Sequence, residues 1–91
     1  MTRIVRAHGR VERAGVPIGE VFAILTIIDA YAGDAGEWRG TLTGGLDWND
    51  LRLGEELTLS LDGHGAGRFV VGEPVLKDIG VYIHGAGDAP A

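Results

Sequence analysis

Glycine punctuation constrains this chain more than any other feature. Sixteen of its 91 residues are glycine, scattered without a fixed period, and they cut the sequence into short segments. Between the glycines the side chains alternate. From Val5, the positions Val5, Ala7, Gly9 and Val11 share one parity, and Arg6, His8, Arg10 and Glu12 share the other. Side chains that repeat every two residues belong to a strand with one face covered and one face in water.

The same logic runs down the chain. Arg13-Ala14-Gly15 reads as a turn, and Pro17 follows at a strand start, where its missing N–H costs least. Val16–Asp29 is apolar on both parities and rich in β-branched residues, which predicts a central strand covered on both faces. A buried helix would also fit that length. The strand is favoured because Ile24, Thr26, Ile27 and Ile28 are poor helix formers and no cap precedes them. Ala30–Gly36 reads as a loop, and Trp38–Thr43 as an alternating strand with Trp38, Gly40 and Leu42 inward. Asp47 is placed to cap a single helical turn across Leu46–Leu51. Glu55–Leu61 alternates with Leu57, Leu59 and Leu61 on one face. Asp62–Gly67 reads as a hairpin loop into Arg68–Val71, with Gly72-Glu73-Pro74 breaking that strand. Val75–Asp78 is ambiguous, with a short strand as one reading, and Val81–His84 is the last strand. The expected fold is therefore all-β: one small domain over residues 1–91, a barrel or sandwich of about six short antiparallel strands with little or no helix. Residues 85–91 are expected to be a flexible tail.

Composition narrows the function classes. With 45% apolar and 23% charged residues, the chain can bury a core and is not a disordered segment. Its longest apolar stretch, Val21–Ile28, is far short of the ~20 residues that span a bilayer, and no leader pattern opens the sequence. No membrane association is expected. Cysteine is absent, which excludes disulfides and thiolate metal sites and suits a cytoplasmic address. The net charge of −5 opposes nucleic-acid binding, which needs a basic footprint. That charge is unevenly spread. Residues 1–13 hold Arg3, Arg6, Arg10 and Arg13 against Glu12 alone, whereas the remainder holds every other acid and only Arg39, Arg52, Arg68 and Lys77 as cations. Such asymmetry marks a local anion or partner site, or one basic strand laid against acidic neighbours.

The residues that could carry chemistry are few. His8, His64 and His84 lie far apart, with no paired-histidine spacing, so no metal site is expected. Gly63-His64-Gly65-Ala66-Gly67 resembles a phosphate cradle only superficially, because Arg68 stands where a third glycine would be needed and a strand follows. Ser60 is the only serine and lies in a strand without a nucleophile elbow. The many carboxylates fall mostly in turns, and no catalytic constellation or cofactor site is nominated.

Three features could still bind. Arg6, His8 and Arg10 project from one strand face about 6.5–7 Å apart, forming a cationic stripe. It suits an anionic ligand or an acidic partner; the competing readings are internal pairing with Glu20 and its neighbours on the next strand, or plain charged decoration that protects an edge. Trp48, in a loop, suits a pocket rim, with Tyr31 beside it; Trp38, on a strand face, suits the core. The residues favour a non-catalytic interaction module: a small barrel that self-associates or joins a larger protein assembly. The competing expectation is a barrel that binds a small anionic or nucleotide-like molecule through Arg6, His8, Arg10, Tyr31 and Trp48.

Overall fold

A computed structural model describes residues 2–28, 37–75 and 79–90. It has six antiparallel strands: β1 (Thr2–Arg13), β2 (Val16–Ile28), β3 (Glu37–Gly44), β4 (Glu56–Leu61), β5 (Ala66–Pro74) and β6 (Gly80–Gly85). A single 3-10 turn, Trp48–Asp50, joins β3 to β4. Asp47 caps that turn by accepting the Asn49 N–H at 3.1 Å, as its position predicts. The strands close into a barrel in the order β1-β2-β3-β6-β5-β4.

Period-two patterning decides what faces inward. Val11 on β1, Val21, Ala23, Leu25 and Ile27 on β2, and Trp38 and Leu42 on β3 are buried. So are Leu57, Leu59 and Leu61 on β4, Phe69 and Val71 on β5, and Val81 and Ile83 on β6. The leucine and tryptophan parities expected for β3 and β4 are those observed. β2 departs from the expectation. It is covered on its inner face only, and Ile24 on the outer face is 41% exposed. A run apolar on both parities has no second layer here, because a closed barrel offers each strand a single dry side. Gly72-Glu73-Pro74 also does not end β5. The strand runs through to Pro74, and the ladder with β6 shifts register between Val71 and Pro74. Of the Val75–Asp78 segment, Leu76–Asp78 lies outside the described residues, as does the loop expected at Ala30–Gly36.

Residues 86–90, expected as part of a flexible tail, instead pack into one barrel end. Ala86 N–H donates to Arg68 O at 2.9 Å, extending the β5–β6 ladder. The Trp38 indole Nε1 donates to Gly87 O at 2.9 Å, and Pro90 is fully buried. Gly67 leaves room for this fold-back, since a Cβ there would stand 2.8 Å from Asp88 O and 2.9 Å from Pro90 Cδ. Trp38 itself is 3% exposed and lies over Gly85, where any side chain would overlap the indole.

The other end is tied by Arg13. Its Nε and Nη2 grip both carboxylate oxygens of Glu55 at 2.9 and 3.1 Å, and Nη1 reaches Asp50 Oδ2 at 3.1 Å. The fork links the β1–β2 turn to the segment entering β4. Hydrogen bonding from Arg13 holds the Glu55 carboxyl below its ordinary range, aided by the Arg52 backbone N–H at 3.2 Å. Glu55 hydrogen bonding likewise raises Arg13. A depressed carboxylate stabilises the fold above its unfolded pKa, and that contribution disappears as pH falls through the lower folded value. Denaturation should therefore show Glu55→Gln less stable than the parent at neutral pH, with the difference closing as the solution is acidified below about pH 4.

The β1–β2 turn offers a second test. Ala14 and Gly15 both have positive φ, 50° and 81°, the mark of a type I′ hairpin turn that favours Asn-Gly. Alanine is strained there by its Cβ. Ala14→Asn should raise stability by about 0.5–1 kcal/mol in a urea titration.

Candidate functional site

β1 is longer than the strand that closes the barrel against it. It pairs with β2 from Thr2 to Arg13, but with β4 only from Gly9 to Glu12. Asp62 N–H donates to His8 O at 2.9 Å, and the chain then turns away into the β4–β5 hairpin. In an antiparallel ladder, successive residues direct their backbone groups to opposite sides. His8 faces β4, so Arg6, Ile4 and Thr2 face the same way. Among the described residues nothing takes the N–H or C=O of these three on that side. Among the described residues the result is an open strand edge at one end of the barrel.

The outer face of this edge carries the cationic stripe. Arg6, His8 and Arg10 are aligned and exposed on β1, with Ile4, 59% exposed, next in line. Across the ladder, Ile4 meets Thr26, Arg6 meets Ile24, His8 meets Phe22 and Arg10 meets Glu20. His8 packs edge-on against the Phe22 ring, with centroids 5.0 Å apart. The register thus supplies the Arg10–Glu20 neighbours that internal pairing would need, yet among the described residues no ion pair engages Arg6 or Arg10. His8 and Arg10 border a depression of about 500 Å³ that also holds Glu20 and Asp62. Two carboxylates offset the arginine there, so that half of the stripe is a poor cradle for a compact anion. Arg6 lies outside the depression, beside Ile24 and Ile4.

Trp48 does not join this surface. It is half-buried against the core, and its Nε1 is buried with no acceptor among the described residues. It belongs to the turn whose Asp50 meets Arg13, three residues along β1 from Arg10 and seven from Arg6. Tyr31 lies outside the described residues. The five expected site residues therefore yield one aligned group, Arg6, His8 and Arg10, with Trp48 at the far end of the strand.

A second concavity, of about 590 Å³, runs over the outer faces of β3, β5 and β6. Arg39, Thr41, Tyr82 and His84 line it, overhung by Leu53, which is 73% exposed. Arg39 stands opposite His84 and Thr41 opposite Tyr82 in the β3–β6 ladder. These residues escaped the sequence reading because neighbours across β3 and β6 are about forty positions apart in the chain. Ile4 escaped because it precedes the first recognisable alternation. Among the described residues no group of three metal-ligating side chains forms, and no helix is long and apolar enough to cross a membrane.

Fold and surface together define a small closed β-barrel with one strand edge left open. No family model, curated protein or solved structure matches the chain. Because Arg6 and Arg10 have no ion pair to lose among the described residues, the double substitution Arg6→Glu with Arg10→Glu should leave unfolding free energy within about 0.5 kcal/mol of the parent. Chemical denaturation measures this, and a larger loss would make the stripe structural.

Proposed function

We propose that this protein is a non-catalytic interaction module that engages another polypeptide by strand addition along β1. The observation that carries this reading is the mismatch between the two ladders of β1, which leaves Thr2, Ile4 and Arg6 with outward backbone donors and acceptors. Unpaired edges template added strands unless they are covered or blunted. No proline and no bulge interrupts it between Thr2 and Arg6; Arg3 and Arg6 place charge along it, and Ile4 adds exposed apolar surface beside Ile24. The small-anion alternative draws less support, because Trp48 is half-buried against the core and Glu20 and Asp62 accompany the lower half of the stripe.

Proline separates an edge role from a structural one. The Ile4 N–H points to the open side, so Ile4→Pro removes a donor that no strand of the barrel uses. The Val5 N–H points to β2, where Val5 sits opposite Leu25, so Val5→Pro breaks the ladder. In the dilute free chain, amide hydrogen exchange should be fast at Ile4 and Arg6 and slow at Val5 and Ala7. Ile4→Pro should remain folded and lose any association seen by native mass spectrometry, whereas Val5→Pro should unfold more readily. Association that survives Ile4→Pro would place the interface elsewhere.

A further inference from the structure

The chemistry of the edge specifies the strand it accepts, an inference that rests on the strand-addition reading. The open lane continues the lane of β4, which runs antiparallel to β1. A strand entering it in the same direction, with one residue opposite Arg6, places its next residue opposite Val5 and the one after opposite Ile4. On the outer face, the residue opposite Arg6 meets an exposed guanidinium with no ion pair among the described residues. The residue opposite Ile4 meets a side chain 59% exposed. On the inner face, the middle residue stands beside Val5, which is half-buried against the core. Opposite charges placed directly across a ladder attract, and apolar pairs bury surface.

The local distribution of charge points the same way. Residues 1–13 carry four arginines against one glutamate, within a chain of net charge −5. A second copy of the chain, paired antiparallel through the same edge, would bring two cationic strands together at a spacing of about 4.8 Å. A different polypeptide that sets a carboxylate opposite Arg6 meets a local attraction instead, within a chain whose net charge is −5. We infer that the β1 edge accepts an antiparallel extended segment from another protein, with the pattern acidic–apolar–apolar, whose carboxylate pairs with Arg6 and whose second apolar residue covers Ile4.

The test uses the whole chain, isotope-labelled, with two blocked peptides: Glu-Val-Ile-Thr-Glu, and Lys-Val-Ile-Thr-Lys as its charge reversal. The expected result is that the glutamate peptide binds about five- to thirtyfold tighter than the lysine peptide. It should slow exchange at the Ile4 and Arg6 amides, and its advantage should shrink with added salt. In Arg6→Glu the preference should reverse. Arg6 has no ion-pair partner among the described residues, and far-ultraviolet circular dichroism and the unfolding midpoint serve as the check that this variant is folded.

Equal binding by both peptides, with both amides protected, would keep strand addition and overturn the acidic partner. Failure of the glutamate peptide to bind, or binding that leaves those amides unprotected, would overturn the inference. Concentration-dependent dimers that protect the amides without peptide would also overturn it, and would assign the edge to a second copy. Protection of Ile4 and Arg6 in the dilute free chain would remove the open edge itself, and the strand-addition reading with it.

Discussion

The whole molecule depends on a short closure. Six strands become a barrel only where β4 pairs with β1, and that ladder holds four residue pairs, Gly9–Leu61 to Glu12–Thr58. Without it the sheet would carry two free edges and the interior leucines of β4 would face water. Closure removes edges only along the paired length. Gly9 makes the approach feasible, since a Cβ at that position would overlap Ser60 O and stand 2.9 Å from Leu61 Cδ2. The glycine that lets β4 come close is thus also the point at which the second pairing of β1 begins to lapse.

Both ends of the barrel are finished by groups distant in sequence. At one end Arg13 holds Glu55 and Asp50, a charged fork joining the first hairpin to the start of β4. At the other, Trp38 presents its indole N–H to Gly87 and Pro90 fills the space beside Gly67. These two fastenings leave the Thr2–Ala7 half of β1 with one ladder. The part of the sheet with a single neighbour is also the part with the highest density of positive charge. In the strand-addition reading proposed above, backbone groups would supply the adhesion and arginine would set the sign of charge accepted.

The period-two pattern made the strands, the inward parities of β3 and β4 and the capped turn at Asp47 legible, because each depends on neighbours within a few residues. The face shared by Arg6, His8 and Arg10 was legible for the same reason. β2 misled, since a run apolar on both parities looks the same whether its outer face meets a second layer or lies half-open beside β1 and β3. The tail misled too. Gly85, Gly87 and Pro90 look like loop residues locally, and only Trp38 and Gly67, at separations of 49 and 23 positions, show what they pack against.

Sequence by itself determined that this chain is a small all-β domain with a cationic first strand, because alternation, glycine spacing and charge are local properties that survive in any tertiary arrangement. Tertiary structure alone decided that the barrel closes, that β4 stops opposite Gly9, and that Thr2, Ile4 and Arg6 keep a side unpaired among the described residues. Strand length can be read from a chain, but the overlap of two strands cannot. That overlap is set by where the β4–β5 hairpin turns in space, and it is what separates a sealed edge from an open one.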